Sequence, residues 1–252
     1  MSNEQYGLGR LPSPFDPNDW RLSAFIPKGE ALKALKALRA NEVKDVDWDF
    51  PYPTLNQDDT GHCVGFSGAS FGICSPINDK YNNDIAHTFY YMCKEIDGEP
   101  ESEEGSYVRS IAKVLQDIGR IESYAFAFSI QDIIWWLLNK GSVIVGTVWT
   151  NDMFEVDFNN VIHITGNTVG GHAYLLKGIK IINGITYLII KNSWGDGWGR
   201  LGEAYISLAD FEILFKYGGE AMTAVELPLG GIPMQTNTGC IGAITKFFAE
   251  LF

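Results

Sequence analysis

Cys63 is preceded by the polar, glycine-containing run LNQDDTGH and opens an apolar one, CVGFSGASFGIC. There Cys63, Phe66, Ser70, Phe71 and Cys74 recur at helical spacing. A thiol at the amino end of a helix sits in the positive end of the backbone dipole, which favours thiolate, the nucleophilic form. A base must accompany it, and the chain holds four histidines. His62 neighbours the thiol in sequence, but consecutive side chains diverge, so it reads as a loop residue. His87 and His163 carry no supporting pattern and read as core or surface side chains. His172 opens a β-rich run after paired glycines, in VGGHAYLLKGI, and Gly170-Gly171 allow the close backbone approach that suits a ligand-facing strand edge. Asn192 ends an apolar strand in IIKNSWGDGWG, where it can accept the imidazole N–H of His172 and fix its orientation, the third-group role in a triad. Trp194 would shield that bond from water. Each residue also has a plain structural reading: a buried cysteine, an Asn-Ser turn, tryptophans plugging a core.

The elements that must position these residues fall into three stretches. LPSPFDPNDW, with three prolines in ten residues, reads as extended surface chain. GEALKALKALRANEV follows, with leucines at 32, 35 and 38, and reads as a short amphipathic helix packed on the main body in preference to a detachable element. From Val46 the texture is compact. A glycine-rich helix over 63–74 is intrinsically weak and persists only where neighbours approach closely. Residues 83–95, 105–118 and SIQDIIWWLLNK read as further helices, the last capped near Ser129 and ended by Gly141. The period then changes: SVIVGTVW, GHAYLLKGIKI, ITYLIIKNS and GEAYISL are short β-rich runs separated by glycine and Asn-Gly turns. Helices first and antiparallel strands later indicate an α+β protein with two packed halves, and a cleft between such halves is a usual place for a site.

Length and composition bound the function. At 252 residues, 46% apolar and 20% charged, the chain is an ordinary globular protein with capacity for a core. Its formal charge of −12 makes nucleic-acid partners and anionic membranes poor candidates. No run is long enough for membrane insertion, and no basic stretch followed by an apolar run marks a secretory signal. Four scattered cysteines without a Cys-x-x-Cys argue against a disulfide scaffold or a structural zinc site. No cofactor is implied. The expectation is a cytoplasmic protein with free thiols, or a virion component if phage- or virus-encoded.

Together these residues resemble the papain-like (family C1) cysteine peptidases. The resemblance rests on Asn56-Gln57 ahead of Gly61-His62-Cys63, on Phe66-Ser67, on GHA at 171–173 and above all on KNSWGDGWGRLGEAYI at 191–206. VDW at 46–48 is similar to the family's mature start, and EEGSYVRSIAKVL to a segment of bacterial members, which suggests a bacterial or phage-type member. The resemblance covers about 46–227, leaving 1–45 in the propeptide position and 228–252 as a tail. It implies a two-lobed fold, with a helical left lobe, an antiparallel β-sheet or barrel as the right lobe and the active site between them. By the same resemblance Cys63 is nucleophile, His172 base and then acid, Asn192 the orienting group and Trp194 their cover. Gln57 and the Cys63 backbone N–H would form the oxyanion hole, with Gly61, Gly105, Ser106 and Gly171 along the substrate. Departures remove no catalytic group. Val64 stands where the family usually has an aromatic residue, and Thr60 where secreted members have a disulfide cysteine. His172 lies 109 residues past Cys63 and Asn192 lies 129 past it, shorter than the usual separation of roughly 130–150.

A peptidase acting on peptide or protein substrates is therefore expected, with residues 1–45 able to cross and block the cleft. The alternatives are a papain-like assembly module with little proteolysis, or an acyl transferase. In the tail, Ile241, Ile244, Phe247, Phe248 and Leu251 share a helix face that can dock on the body or serve self-association, and Leu229-Gly230-Gly231 offers a joint or processing site. Asp58, Asp59 and Asp196 border the expected cleft and hint at basic substrate residues.

Overall fold

The glycine-rich run after Cys63 folds as helix α2 (Cys63–Ile73), buried along its whole length. Its weak propensity is overcome by enclosure. A Cβ on Gly65 would lie 2.5 Å from the Ala86 oxygen and the Tyr90 nitrogen, so helix α3 (Asn83–Asp97) rests against bare backbone. Asn82 caps α3 by accepting the Ile85 N–H at 3.0 Å. Helix α4 (Val108–Asp117) turns Val108, Ile111, Ala112, Val114 and Leu115 inward, and with Phe66 and Phe89 these fill one of two apolar cores. By contrast, the N-cap of α2, His62, makes no capping bond through its side chain. The first amides of α2 therefore depend on what lies in front of them.

The second core lies against a sheet. Strands β4 (Ser123–Ala127), β5 (Val143–Thr150), β6 (Thr168–Ile182), β7 (Ile185–Lys191), β8 (Glu203–Ser207) and β9 (Glu220–Glu226) follow the spatial order β4-β9-β5-β6-β7-β8. All of these pairings are antiparallel, and β2 (Val46–Asp47) also pairs with β6. The path is open, so the described residues form a sheet and not a closed barrel. Helix α5 (Ile130–Asn139) is capped by Ser129, whose Oγ accepts the Asp132 N–H at 3.3 Å, and packs over it. Helix α6 (Leu208–Lys216) begins at Ser207 in the same way, at 3.0 Å. The sequence run GEAYISL reads as strand to its end, whereas the Ser207 cap turns Leu208 into helix.

The structure, a computed structural model, describes residues 6–227, so the tail residues Ile241, Ile244, Phe247, Phe248 and Leu251, the Leu229-Gly230-Gly231 joint and Cys240 lie outside the described residues. The leading segment has two parts. Helix α1 (Glu30–Arg39) lies against α5, with Leu22, Leu35 and Leu38 in the same core as Ile133, Ile134 and Leu137. Ahead of it, β1 (Arg10–Leu11) pairs in parallel with β3 (Ser106–Tyr107). The helix expected from residue 105 thus begins only at Val108. Gly105 adopts φ +101°, outside the helical region, and the Ser106 N–H donates to the Gly9 oxygen at 2.9 Å.

Candidate active site

Cys63 opens α2, and His172 lies near the start of β6, paired with Thr147 of β5. Both are fully buried. The N–H of Ala173, next to the histidine, donates to Cys63 Sγ at 3.4 Å, which seats the thiol against this part of β6. Asn192 follows the last residue of β7, and the β6–β7 register (Leu175 opposite Lys191) brings it alongside His172. Its Oδ1 lies 2.8 Å from His172 Nε2 and also accepts the Ser193 backbone N–H at 2.8 Å. A backbone N–H can only donate, so that atom is the amide oxygen and Nε2 carries the imidazole proton. Nδ1 is then the lone-pair nitrogen of the neutral ring, buried and without a hydrogen-bond partner among the described residues. Trp194 stacks on the imidazole at 4.7 Å and 28°, and Trp149 meets it edge-on at 4.8 Å.

Gln57 is held with equal definition. Its Nε2 donates to the Thr60 oxygen at 2.7 Å and to the Gly7 oxygen at 3.1 Å, while Oε1 accepts the Ser193 hydroxyl at 2.6 Å. Ser193 therefore ties the amide of Gln57 to the amide that orients His172, a role the sequence reading missed. The Asn-Ser dipeptide carries the only hint of it, since two polar residues end an otherwise apolar strand.

The remaining expected site residues line one groove, and residues 6–11 lie in it. Gly9 N–H donates to the Gly171 oxygen at 3.1 Å, and Gly7 N–H to the Asp58 oxygen at 3.1 Å. Tyr6 stacks on Trp194 at 4.6 Å. A Cβ on Gly105 would lie 2.8 Å from the Gly9 oxygen, and one on Gly171 would lie 2.2 Å from the Arg10 oxygen. The approach needs glycine on the strand as well: a Cβ on Gly9 would fall 1.9 Å from the Gly61 oxygen, and one on Gly7 1.9 Å from the Thr60 oxygen. Gly61, Gly105, Ser106, Gly171 and Trp194 are thus all in contact with this strand.

Covering the groove reverses the electrostatics expected at a helix amino end. Burial pushes the Cys63 thiol up to about 11, against the backbone N–H groups of Ala173, Gly9 and Val64 and the charge of Arg10, which pull it down. Burial also pushes His172 down to about 4, against the bond to Asn192. The covered pair is thiol and neutral imidazole. An imidazole depressed below its ordinary 6.5 binds its proton more weakly than one in water. The covered state therefore keeps this contribution in full above pH 6.5 and loses it as pH falls toward 4. The loss for His172 is about 3 kcal/mol. Urea unfolding at pH 7 and pH 4 is expected to show the parent losing that much more stability than His172→Gln; equal losses would exclude it. The same sign favours withdrawal of the strand in acid, since that too lets His172 meet water.

The other candidates lie elsewhere. His62 and His87 face each other, Nδ1 to Nδ1 at 2.7 Å, and the His62 ring stacks on Tyr90 at 3.8 Å. Burial and then His87 depress His62 to about 4. His163 pairs with Asp157 at 3.1 Å. Asp58 accepts from Asn56 at 2.6 Å and Asp196 from the Thr54 N–H at 3.1 Å, so both are engaged in shaping loops. Among the described residues no group of three or more His, Cys, Asp or Glu could hold a metal ion, and no helix is long and apolar enough to cross a membrane.

A buried cysteine at a helix start, an asparagine-bonded histidine on a facing sheet and a glutamine amide tied to that asparagine through Ser193 thus lie together. Residues 78–213, more than half of the chain, match the family described as Papain family cysteine protease. The chain belongs to the papain family of cysteine proteases. Among curated relatives, Cathepsin B-like cysteine proteinase 5 of Caenorhabditis elegans is 29% identical over 80 residues, 32% of this chain and 23% of that protein. The Viral cathepsin of Lymantria dispar multicapsid nuclear polyhedrosis virus is 42% identical over 45 residues, 18% and 13% respectively. These matches span about a quarter or less of the relatives' own length. In fold the chain is similar to xylellain, a cysteine protease from Xylella fastidiosa, with TM-score 0.67, 16% identity and 90% and 99% of the two chains covered. It is also similar to proCathepsin B S9 from Trypanosoma congolense, with TM-score 0.62, 14% identity and 90% and 87% covered.

Proposed function

We propose that the chain is a cysteine endopeptidase held latent by residues 6–11 of its own leading segment. The observation that carries this is the fixed tautomer of His172: Asn192 holds the proton on Nε2 and leaves Nδ1 free to accept one. With a peptide in place of the strand, His172 Nδ1 takes the Cys63 proton and the sulfur attacks the scissile carbonyl carbon. The carbonyl oxygen becomes an oxyanion, stabilised by Gln57 Nε2 and the Cys63 backbone N–H. On collapse the C–N bond breaks, and the amine leaves with the proton from His172, giving a Cys63 thioester. Water, deprotonated by His172, then attacks the thioester, releasing the acid and returning the proton to sulfur. Latency is supported by Gln57 Nε2, whose bond to the Gly7 oxygen fills the donor that an oxyanion would need.

The test is an active-site thiol epoxide together with peptide turnover. Labelling is expected at Cys63, faster once the strand is displaced. Gln57→Ala is expected to lower kcat by about 10²–10³-fold, with epoxide labelling retained. Failure of Cys63 to label in folded protein with the groove open, or full turnover in Gln57→Ala, would overturn the mechanism.

A further inference from the structure

Strand β5 ends on VWT, and the register places its Thr147 opposite His172. Trp149, two residues on, leaves the sheet on the same face as Thr147. It is fully buried, and its indole meets His172 at 4.8 Å and 70°, Trp194 at 5.3 Å and 85° and Tyr174 at 5.7 Å and 70°. Trp194 and Tyr174 themselves lie nearly parallel to the imidazole, at 28° and 24°. The three near-parallel rings form a stack, and Trp149 stands across it as a wall. It therefore meets the imidazole across an edge of that ring.

Packing alone does not account for a tryptophan there. Its Nε1–H is buried without a hydrogen-bond partner among the described residues, a desolvation cost that leucine or phenylalanine would avoid. What the indole adds is the π face that attracts a cation most strongly among the aromatic side chains. His172 is the neighbour that becomes a cation, from the moment it takes the Cys63 proton until the amine leaves. The imidazolium charge is carried toward the hydrogens on the ring's rim, which an edge presents. Few other groups act on it. Cys63 faces it from α2, and Tyr174 from its own strand, with the hydroxyl 3.3 Å from that of Thr147. Arg10, whose charge reaches Cys63 and Tyr174, departs with the leading strand. Thr147 and Trp149 from β5, and Asn192 and Trp194 after β7, do not titrate. No carboxylate among the described residues shares the proton of His172, so the imidazolium depends on neutral partners.

We propose that Trp149 supports the imidazolium form of His172 through its π face and so sets the upper end of the pH range in which the thiolate–imidazolium pair of Cys63 and His172 persists. This rests on the peptidase reading above. Trp149 touches no reacting bond; it is a positioning residue that acts through His172. The sign follows from which states contain the cation. On the alkaline side the pair loses the His172 proton, the step that the indole opposes. On the acid side a proton joins the sulfur, and the imidazolium is present before and after. Removing the indole therefore lowers the alkaline limb and leaves the acid limb in place.

Full-length protein carrying Gly9→Val, in which the strand cannot seat, is assayed for kcat/KM against pH with a fluorogenic peptide. Adding Trp149→Leu is expected to lower the alkaline limb by about one pH unit and to leave the acid limb unmoved. Leucine keeps the wall apolar, whereas alanine would admit water, which acts in the opposite direction. Trp149→Phe keeps a weaker ring and should shift the limb about half as far; it carries the test alone if the leucine variant does not fold. The second arm needs no turnover. In Cys63→Ala with Gly9→Val, the His172 titration followed by NMR should fall by about one unit after Trp149→Leu. A rate lowered equally at every pH, or a His172 titration that stays in place or rises, would sink the role of Trp149 and keep the peptidase. The expected His172 shift without any peptide hydrolysis in the Gly9→Val protein would sink the peptidase reading and keep the support of the imidazolium.

Discussion

Full-length protein carrying Gly9→Val is expected to hydrolyse peptides at least about 100-fold faster than the parent. The added Cβ would sit 1.9 Å from the Gly61 carbonyl oxygen. Both atoms are set by backbone, so no rotamer change relieves the contact. Overpacking of this kind costs about 3 kcal/mol or more, and each 1.4 kcal/mol moves the balance between seated and withdrawn strand tenfold. Gly9→Ala places the same atom and is expected to act alike, while Gly7→Val meets the Thr60 oxygen at the same 1.9 Å. Two rates should rise together: peptide turnover and alkylation of Cys63, because water returning to the cleft removes the burial that holds the thiol up near 11. Unchanged rates in both Gly7→Val and Gly9→Val would strip the strand of any inhibitory role.

Cys63→Ala in the opened protein is expected to lower turnover by about 10⁵-fold or more. Among the described residues, the neighbouring hydroxyls are otherwise engaged: that of Ser193 donates to Gln57 at 2.6 Å, and that of Thr147 lies 3.3 Å from the Tyr174 hydroxyl. The fold should be nearly indifferent. The substitution removes one atom, whose hydrogen bond from the Ala173 N–H is a long one at 3.4 Å, so the Tm should fall by no more than about 4 °C. Loss of activity with retained Tm places the effect in the chemistry. A protein serving only as an assembly module would keep its phenotype in this variant, and residual turnover near the parent's would refute the nucleophile.

Much of the site is legible in the sequence because its parts are local. Asn192, Ser193 and Trp194 sit at the end of one apolar strand in a glycine-rich loop, and Cys63 opens a helix whose glycines can survive only in a packed interior. What is illegible depends on distant partners. Nothing in GLGR near the amino end says that two glycines will lie on the Thr60 and Gly61 carbonyls, or that Arg10 will pair with a carboxylate 210 residues away. Strands β4 and β9 show no clean alternation because both faces of their central residues are buried. The start of α4 is misplaced for the same reason: the helical period runs back through Ser106, but a bond from Ser106 to Gly9 of the leading strand claims it for β3. Binary patterning reports which face a residue turns to the core, and it carries no information about which chain segment arrives from elsewhere.

Helix α1 gives the leading strand a fixed address. Leu22 and Leu38 are fully buried in the body, so residues 6–11 are displaced without being released. The chain between them, roughly residues 12–21, is short and carries prolines at 12, 14 and 17. A tether of that length keeps its ligand at an effective concentration of about millimolar or above. A single cut anywhere in that stretch would change no contact in the cleft, yet it would convert a unimolecular occupant into a dilute peptide held by a short set of hydrogen bonds, one ion pair and one stacked ring. Dilution alone would then do what in the intact chain requires a competing substrate or acid.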